Sequence, residues 1–174
     1  MKIRTSVLLL GVLGGLAVAG SASAADDIFL SLTGIKGESV AAGHTGEIDI
    51  LSFSQTVARA PNGGAPTCGV ITVQKLLDKA SAPLAGSVFT GNYIQQGVLI
   101  IAVPSGAVLA PLYKITLQNV LVTSVSQGAS AGGGTPVETV SLQAQRVQLD
   151  VYTLSGGTSS QTIATINCMT DTAQ

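Results

Sequence analysis

Apolar and polar residues alternate with a period of two along much of the chain. Ile28, Leu30 and Leu32 alternate with Phe29, Ser31 and Thr33 until Gly34 interrupts them. Ile48 and Ile50 alternate with Glu47 and Asp49, and the pattern slips at Leu51 so that Phe53 continues it. Ile115 and Leu117 alternate with Thr116 and Gln118, slipping before Val120 and Val122. Val140, Leu142 and Ala144 alternate with Ser141 and Gln143, slipping before Val147, Leu149 and Val151. Such alternation buries one face of a β-strand. A slip inside a run marks a β-bulge, or a strand that changes its buried face at a barrel corner. Val70 to Leu77 and Gln161 to Cys168 read as further strands, and Val98 to Val103 is an apolar run of strand length. Strands separated by Gly-rich turns predict a mainly β fold, either a sandwich or a barrel.

One segment has helical spacing instead. Ser81 can cap a helix, and Pro83 is tolerated in the first turn. Leu84 and Val88 lie four apart, as do Ala85 and Phe89, and Gly91 supplies a stop. The pattern predicts a helix of about ten residues with one apolar stripe, packed across an open end of the strands. Between the strands, Ala60 to Pro66, Gln127 to Pro136 and Ser155 to Ser160 are turn-rich connections. No internal repeat is visible.

Residues 1–24 do not read as fold. Lys2 and Arg4 precede an uninterrupted apolar and Gly run from Val7 to Gly20, and Ala22-Ser23-Ala24 offers small side chains for a signal peptidase. This pattern predicts a secretory signal peptide cleaved between Ala24 and Ala25, leaving residues 25–174 as one domain. The run is shorter than the ~20 residues that span a bilayer, so no stable membrane insertion is expected after cleavage. Export would place the protein in the periplasm or outside the cell.

Composition narrows the function. Charged residues make up 10% of the 174, against ~25% in an average domain. Removing Lys2 and Arg4 leaves six basic residues against nine acidic ones, a net charge of −3. That balance gives no footprint for nucleic acid, which needs clustered Lys and Arg. A surface poor in charge suits repeated burial against copies of itself, because little charge must be desolvated. Cys68 and Cys168 are the two cysteines, too few for a Cys-rich zinc site. Export favours a disulfide between them; the other reading is two unpaired buried thiols.

Candidate chemistry is sparse. His44, the single histidine, lies in the loop Ala41-Ala42-Gly43-His44-Thr45-Gly46. Glu38 and Glu47 are its nearest acids, and no nucleophile motif accompanies them. A lone His does not make a metal site. Asp26, Asp27, Glu38, Glu47, Asp49, Glu138 and Asp150 are dispersed, and read as solvated strand faces and contact charges. Gly132-Gly133-Gly134 lacks the Lys-Ser/Thr and helix of a phosphate loop. The expectation is therefore no catalytic residue, no cofactor and no metal.

The segments in order resemble a known family. The matching stretches are Asp27-Ile28-Phe29-Leu30, Gly34-Ile35-Lys36-Gly37-Glu38-Ser39, and Glu47-Ile48-Asp49-Ile50-Leu51-Ser52-Phe53. They continue through Val73 to Leu84 with Asp78-Lys79-Ala80-Ser81, then Thr90-Gly91-Asn92-Tyr93-Ile94. Tyr113-Lys114-Ile115-Thr116-Leu117, Val120-Leu121-Val122 and Glu138-Thr139-Val140-Ser141-Leu142 complete them. Together they resemble the haemolysin-coregulated protein (Hcp) family, the tube proteins of type VI secretion. The resemblance implies a small β-barrel of two packed sheets with one short α-helix beside it. It also implies a homo-oligomer: six copies closing into a ring, with effector or peptide cargo in the lumen and no enzymatic activity.

Two features depart from that family's pattern. Its tube subunits assemble in the cytosol without a cleavable leader. Its last strand usually carries an aromatic pair followed by Asp, where this chain has Thr165-Ile166-Asn167-Cys168. Two functions follow: a ring-forming structural protein exported by its own leader, or a periplasmic or extracellular binding or carrier module on the same barrel.

Overall fold

A computed structural model describes residues 26–59, 66–105, 108–155 and 158–168. The elements run β1 (Asp27–Leu32), β2 (Ile48–Ile50), β3 (Ser52–Ser54), β4 (Val57–Arg59), β5 (Pro66–Cys68), β6 (Ile71–Leu76), α1 (Ser81–Thr90), β7 (Ile94–Ser105), β8 (Val108–Gly128), β9 (Val137–Ser155) and β10 (Thr158–Asn167). The predicted leader and its Ala24–Ala25 junction lie outside the described residues, as do residues 60–65 of the Ala60 to Pro66 connection.

The main sheet has eight strands, in the order β2-β1-β7-β8-β9-β6-β3, with β10 added beside β9. Its pairings are antiparallel. The two ends of that order, β2 and β3, are consecutive in the chain. Ile50 pairs with Ile28 of β1, and two residues later Ser52 pairs with Gln74 of β6. Leu51 is the crossover between them; its side chain points to solvent while its N–H donates to the Gln74 carbonyl at 2.8 Å. The slip in alternation at Leu51 is thus the point where one strand leaves one wall and joins the other. The sheet curls into a near-closed barrel, and a second small sheet, β4–β5, lies off it.

The slips before Val120 and Val147 have a single cause. Gln118 pairs with Arg146 and Val120 with Ala144, so β8 and β9 keep one register across the slip. Asn119 sits between them at φ 51°, and its side-chain amide donates to the Gln145 side-chain carbonyl at 2.9 Å. Both strands exchange their buried face at facing positions, which is a barrel corner. Register shifts, the mark of true bulges, occur instead between Ile101 and Ala102 of β7 and between Val122 and Ser124 of β8.

Inward rows meet in an aliphatic core. Leu30, Ile48, Leu99, Ile115, Leu117 and Val140 are fully buried within it. Helix α1 packs against β8, and Leu84 carries its apolar side into the core. Val88 and Ala85 are half-buried, but Phe89 is 91% exposed and does not join the stripe. Gly91 ends the helix in the left-handed conformation expected of it, at φ 64°. Two local expectations are corrected. Ala80, not Ser81, occupies the N-cap position, and no side chain caps it. The connection placed at Ser155 to Ser160 is almost all strand, because β9 runs to Ser155 and β10 starts at Thr158. Ser and Thr join a ladder readily when a hairpin pairs them directly.

Candidate functional site

Three constructions on the barrel carry polar or redox chemistry. The first is a buried ion cluster. On β6 the inward row Ile71, Val73 continues into Lys75; on β9 the inward row begins at Glu138 and continues through Val140 and Leu142. The β6–β9 register sets Lys75 directly opposite Glu138. Both side chains are fully buried, with Lys75 Nζ 2.6 Å from Glu138 Oε2. The same ammonium lies 2.7 Å from Asp78 Oδ1, and donates to the Leu76 carbonyl at 2.8 Å and to Ser81 Oγ at 3.1 Å. Ser81 donates to Glu138 Oε2 at 2.5 Å and accepts from the Asp78 N–H at 3.0 Å. Gln127 donates to the other Glu138 oxygen. Asp78 Oδ1 accepts the Ala80 N–H at 2.9 Å.

Burial alone would raise the Glu138 pKa. Hydrogen bonds from Lys75, Ser81 and Gln127, together with the Lys75 charge, outweigh it and hold the carboxyl below its ordinary value. A Ser beside a Lys is one composition of a nucleophilic pair. Here Lys75 is held between two carboxylates and the Ser81 proton is directed at Glu138. The cluster therefore fastens the start of α1 to the barrel wall. This is also why Ser81 does not cap the helix: its hydroxyl is engaged across the fold.

Glu138 and Asp150, expected on solvated faces, are both buried. Asp150 accepts from the Gln148 side chain at 3.0 and 3.3 Å and lies 3.9 Å from Lys114 Nζ. Burial, and then the Asp150 charge, push the Tyr152 phenol pKa up. The missed signal was parity. Lys75 and Glu138 share the two-residue phase of the buried Val73 and Val140, so each extends an inward row.

The second construction is the loop between β1 and β2, which folds back on itself. Gly37 donates to the Gly46 carbonyl at 2.9 Å, and Ser39 to the Glu47 carbonyl at 3.0 Å. A Cβ on Gly37 would lie 2.1 Å from the Glu47 carbonyl oxygen, so only glycine fits there. His44 lands with its ring stacked on Phe29, centroids 4.0 Å apart, and its Nδ1 2.9 Å from Glu47 Oε2. Phe29 belongs to the outward phase of β1 yet is buried, because His44 covers it. The histidine serves as a fastening for this loop.

The third is the cysteine pair. Cys68 ends β5 and Cys168 follows β10; they are bonded, with Cα atoms 5.4 Å apart. They line a cleft of about 290 Å³ with Thr67, Tyr93, Leu121 and Gln143.

The barrel that carries these features matches known proteins. Residues 29–151 match the family "Type VI secretion system effector, Hcp". Protein hcp1 of Pseudomonas aeruginosa is 34% identical over 132 residues, which is 71% of this chain and 82% of that one. Among solved structures, a type six secretion system protein superposes with a TM-score of 0.77 at 23% identity, over 86% of this chain and 100% of that one. Hcp1 from Salmonella typhimurium does so with a TM-score of 0.73 at 25% identity, over the same shares. Matched over most of its barrel by both sequence and fold, the chain belongs to the Hcp family of type VI secretion proteins.

Proposed function

We propose that residues 25–174 form one domain that is exported behind the leader at residues 1–24 and assembles with identical copies into a non-catalytic ring. Six copies is the number the family resemblance implies. The observation that carries this reading is the match of residues 29–151, from β1 into β9, to the Hcp family. The surface supports it. Val40 and Phe89 are each 91% exposed, and apolar side chains presented to solvent beside few charges favour protein contact. The lumen of such a ring would take an effector or peptide cargo.

The test is assembly of the mature protein. Chain starting at Ala25 should elute as a multimer by size exclusion with light scattering and give annular particles by electron microscopy. A monodisperse monomer at high concentration would overturn the ring. It would favour instead a periplasmic or extracellular binding or carrier module, the reading that the leader pattern also supports. N-terminal sequencing of the exported chain checks the leader: a start at Ala25 is expected, and an intact Met1 rejects cleavage.

A further inference from the structure

Covalent attachment and burial are distributed unequally over the β4–β5 hairpin. Val57, Ala58, Arg59 and Thr67 are exposed, as is Val70 just beyond it. The hairpin's ladder joins Val57 to Cys68, Ala58 to Thr67 and Arg59 to Pro66, all within itself. The Thr67 hydroxyl donates to the Ala58 carbonyl, and the Gly69 N–H to the Thr56 carbonyl, again within the same excursion. Cys68 is half-buried. It is bonded to Cys168, whose N–H donates to the Gln145 carbonyl on β9 at 2.9 Å.

The fully buried centre of the barrel contains neither sulfur. Leu30, Ile48, Leu99, Ile115, Leu117 and Val140 fill it, while Cys68 and Cys168 pack against its outside. Both cysteines also line the cleft, which opens to solvent, so a small thiol can reach the bond.

The geometry points to a redox latch: the Cys68–Cys168 bond holds the β4–β5 hairpin beside β8 and β9, and thiol–disulfide exchange with a dithiol releases the hairpin and opens the cleft while the barrel stays folded. One thiolate of the dithiol attacks one sulfur, and the other cysteine leaves as a thiolate and takes a proton. The second thiol of the reagent then displaces the remaining cysteine. The dithiol is oxidised to its cyclic disulfide by two electrons, and both cysteines become thiols. The hairpin face is therefore set only where thiols are oxidised.

Hydrogen exchange on the mature exported protein, with and without dithiothreitol, tests this. Complete reduction is verified by two alkylatable thiols that are absent before treatment. Peptides covering β4, β5 and the end of β10 should then exchange at least about tenfold faster and approach the rate of open chain, while those from β1, β7 and the first half of β8 remain protected, weakened only by the global stability that the bond contributed. The Cys68→Ser/Cys168→Ser variant should show the fast hairpin without reductant and no further change on adding it. Unchanged hairpin exchange after full reduction would overturn the latch. So would exchange at the open-chain rate across β1, β7 and β8, or two alkylatable thiols in the untreated protein. The readout is local to each peptide, so its outcome does not depend on whether the chain forms rings.

Discussion

Two appendages are attached to the same barrel by opposite means. Helix α1 is tied by Leu84 in the core and by the Lys75–Asp78–Ser81–Glu138 cluster at its first residue. The described side chains of the β4–β5 hairpin are largely exposed, and a covalent bond ties β5 to the end of β10. The first attachment forms whenever the barrel forms, since β6 and β9 must pair to close it and their register sets Lys75 opposite Glu138. The second depends on the redox state of the surroundings. The barrel and its helix are thus unconditional, and the hairpin face is conditional.

Breaking the cluster should have the largest effect. Glu138→Ala leaves the Lys75 charge buried with Asp78 as its remaining carboxylate, and should cost about 3–5 kcal/mol in urea unfolding. The Lys75→Met/Glu138→Leu pair should recover most of that loss, because removing both charges also removes their desolvation. If both changes together cost as much as one, the cluster's charges are not what holds the helix.

Loss of the disulfide comes next. Cys68→Ser and Cys168→Ser should each lower stability by about 2–4 kcal/mol under oxidising conditions, and the double variant by no more than either single one. Clearly unequal single losses would mean that each cysteine contributes through its own packing.

The smallest effect separates the two attachments by pH. Glu138 titrates below its ordinary value in the folded chain, so its contribution is complete above the unfolded pKa and is lost as pH falls through the lowered one. The natural chain should therefore lose stability more steeply than Glu138→Gln below about pH 4.3. Over the same range, hairpin exchange should stay governed by the bond, which does not titrate. Parallel acid curves for the two proteins would reject the lowered carboxyl.

Much of the barrel was legible in residue order. The slips at Leu51, before Val120 and before Val147 each landed on a crossover or corner, because a strand that changes its buried face must change phase. The helix and its Gly91 stop were legible for the same reason of period. Its Phe89 and the N-cap were not. Phe89 reads as stripe by spacing alone, and Ser81 reads as a cap until Glu138 arrives from 57 residues away. The β4–β5 hairpin is too short to show alternation.

What the chain determined by itself was which side chains can share a face: a two-residue phase is local, and it marks Lys75 and Glu138 as members of buried rows as firmly as Val73 and Val140. Tertiary structure alone decided what those members meet. Register joins Lys75 to Glu138, loop folding lays His44 on Phe29, and strand placement brings Cys68 to Cys168. Pairing across a barrel depends on the closure of the whole sheet, and no local pattern encodes that distance.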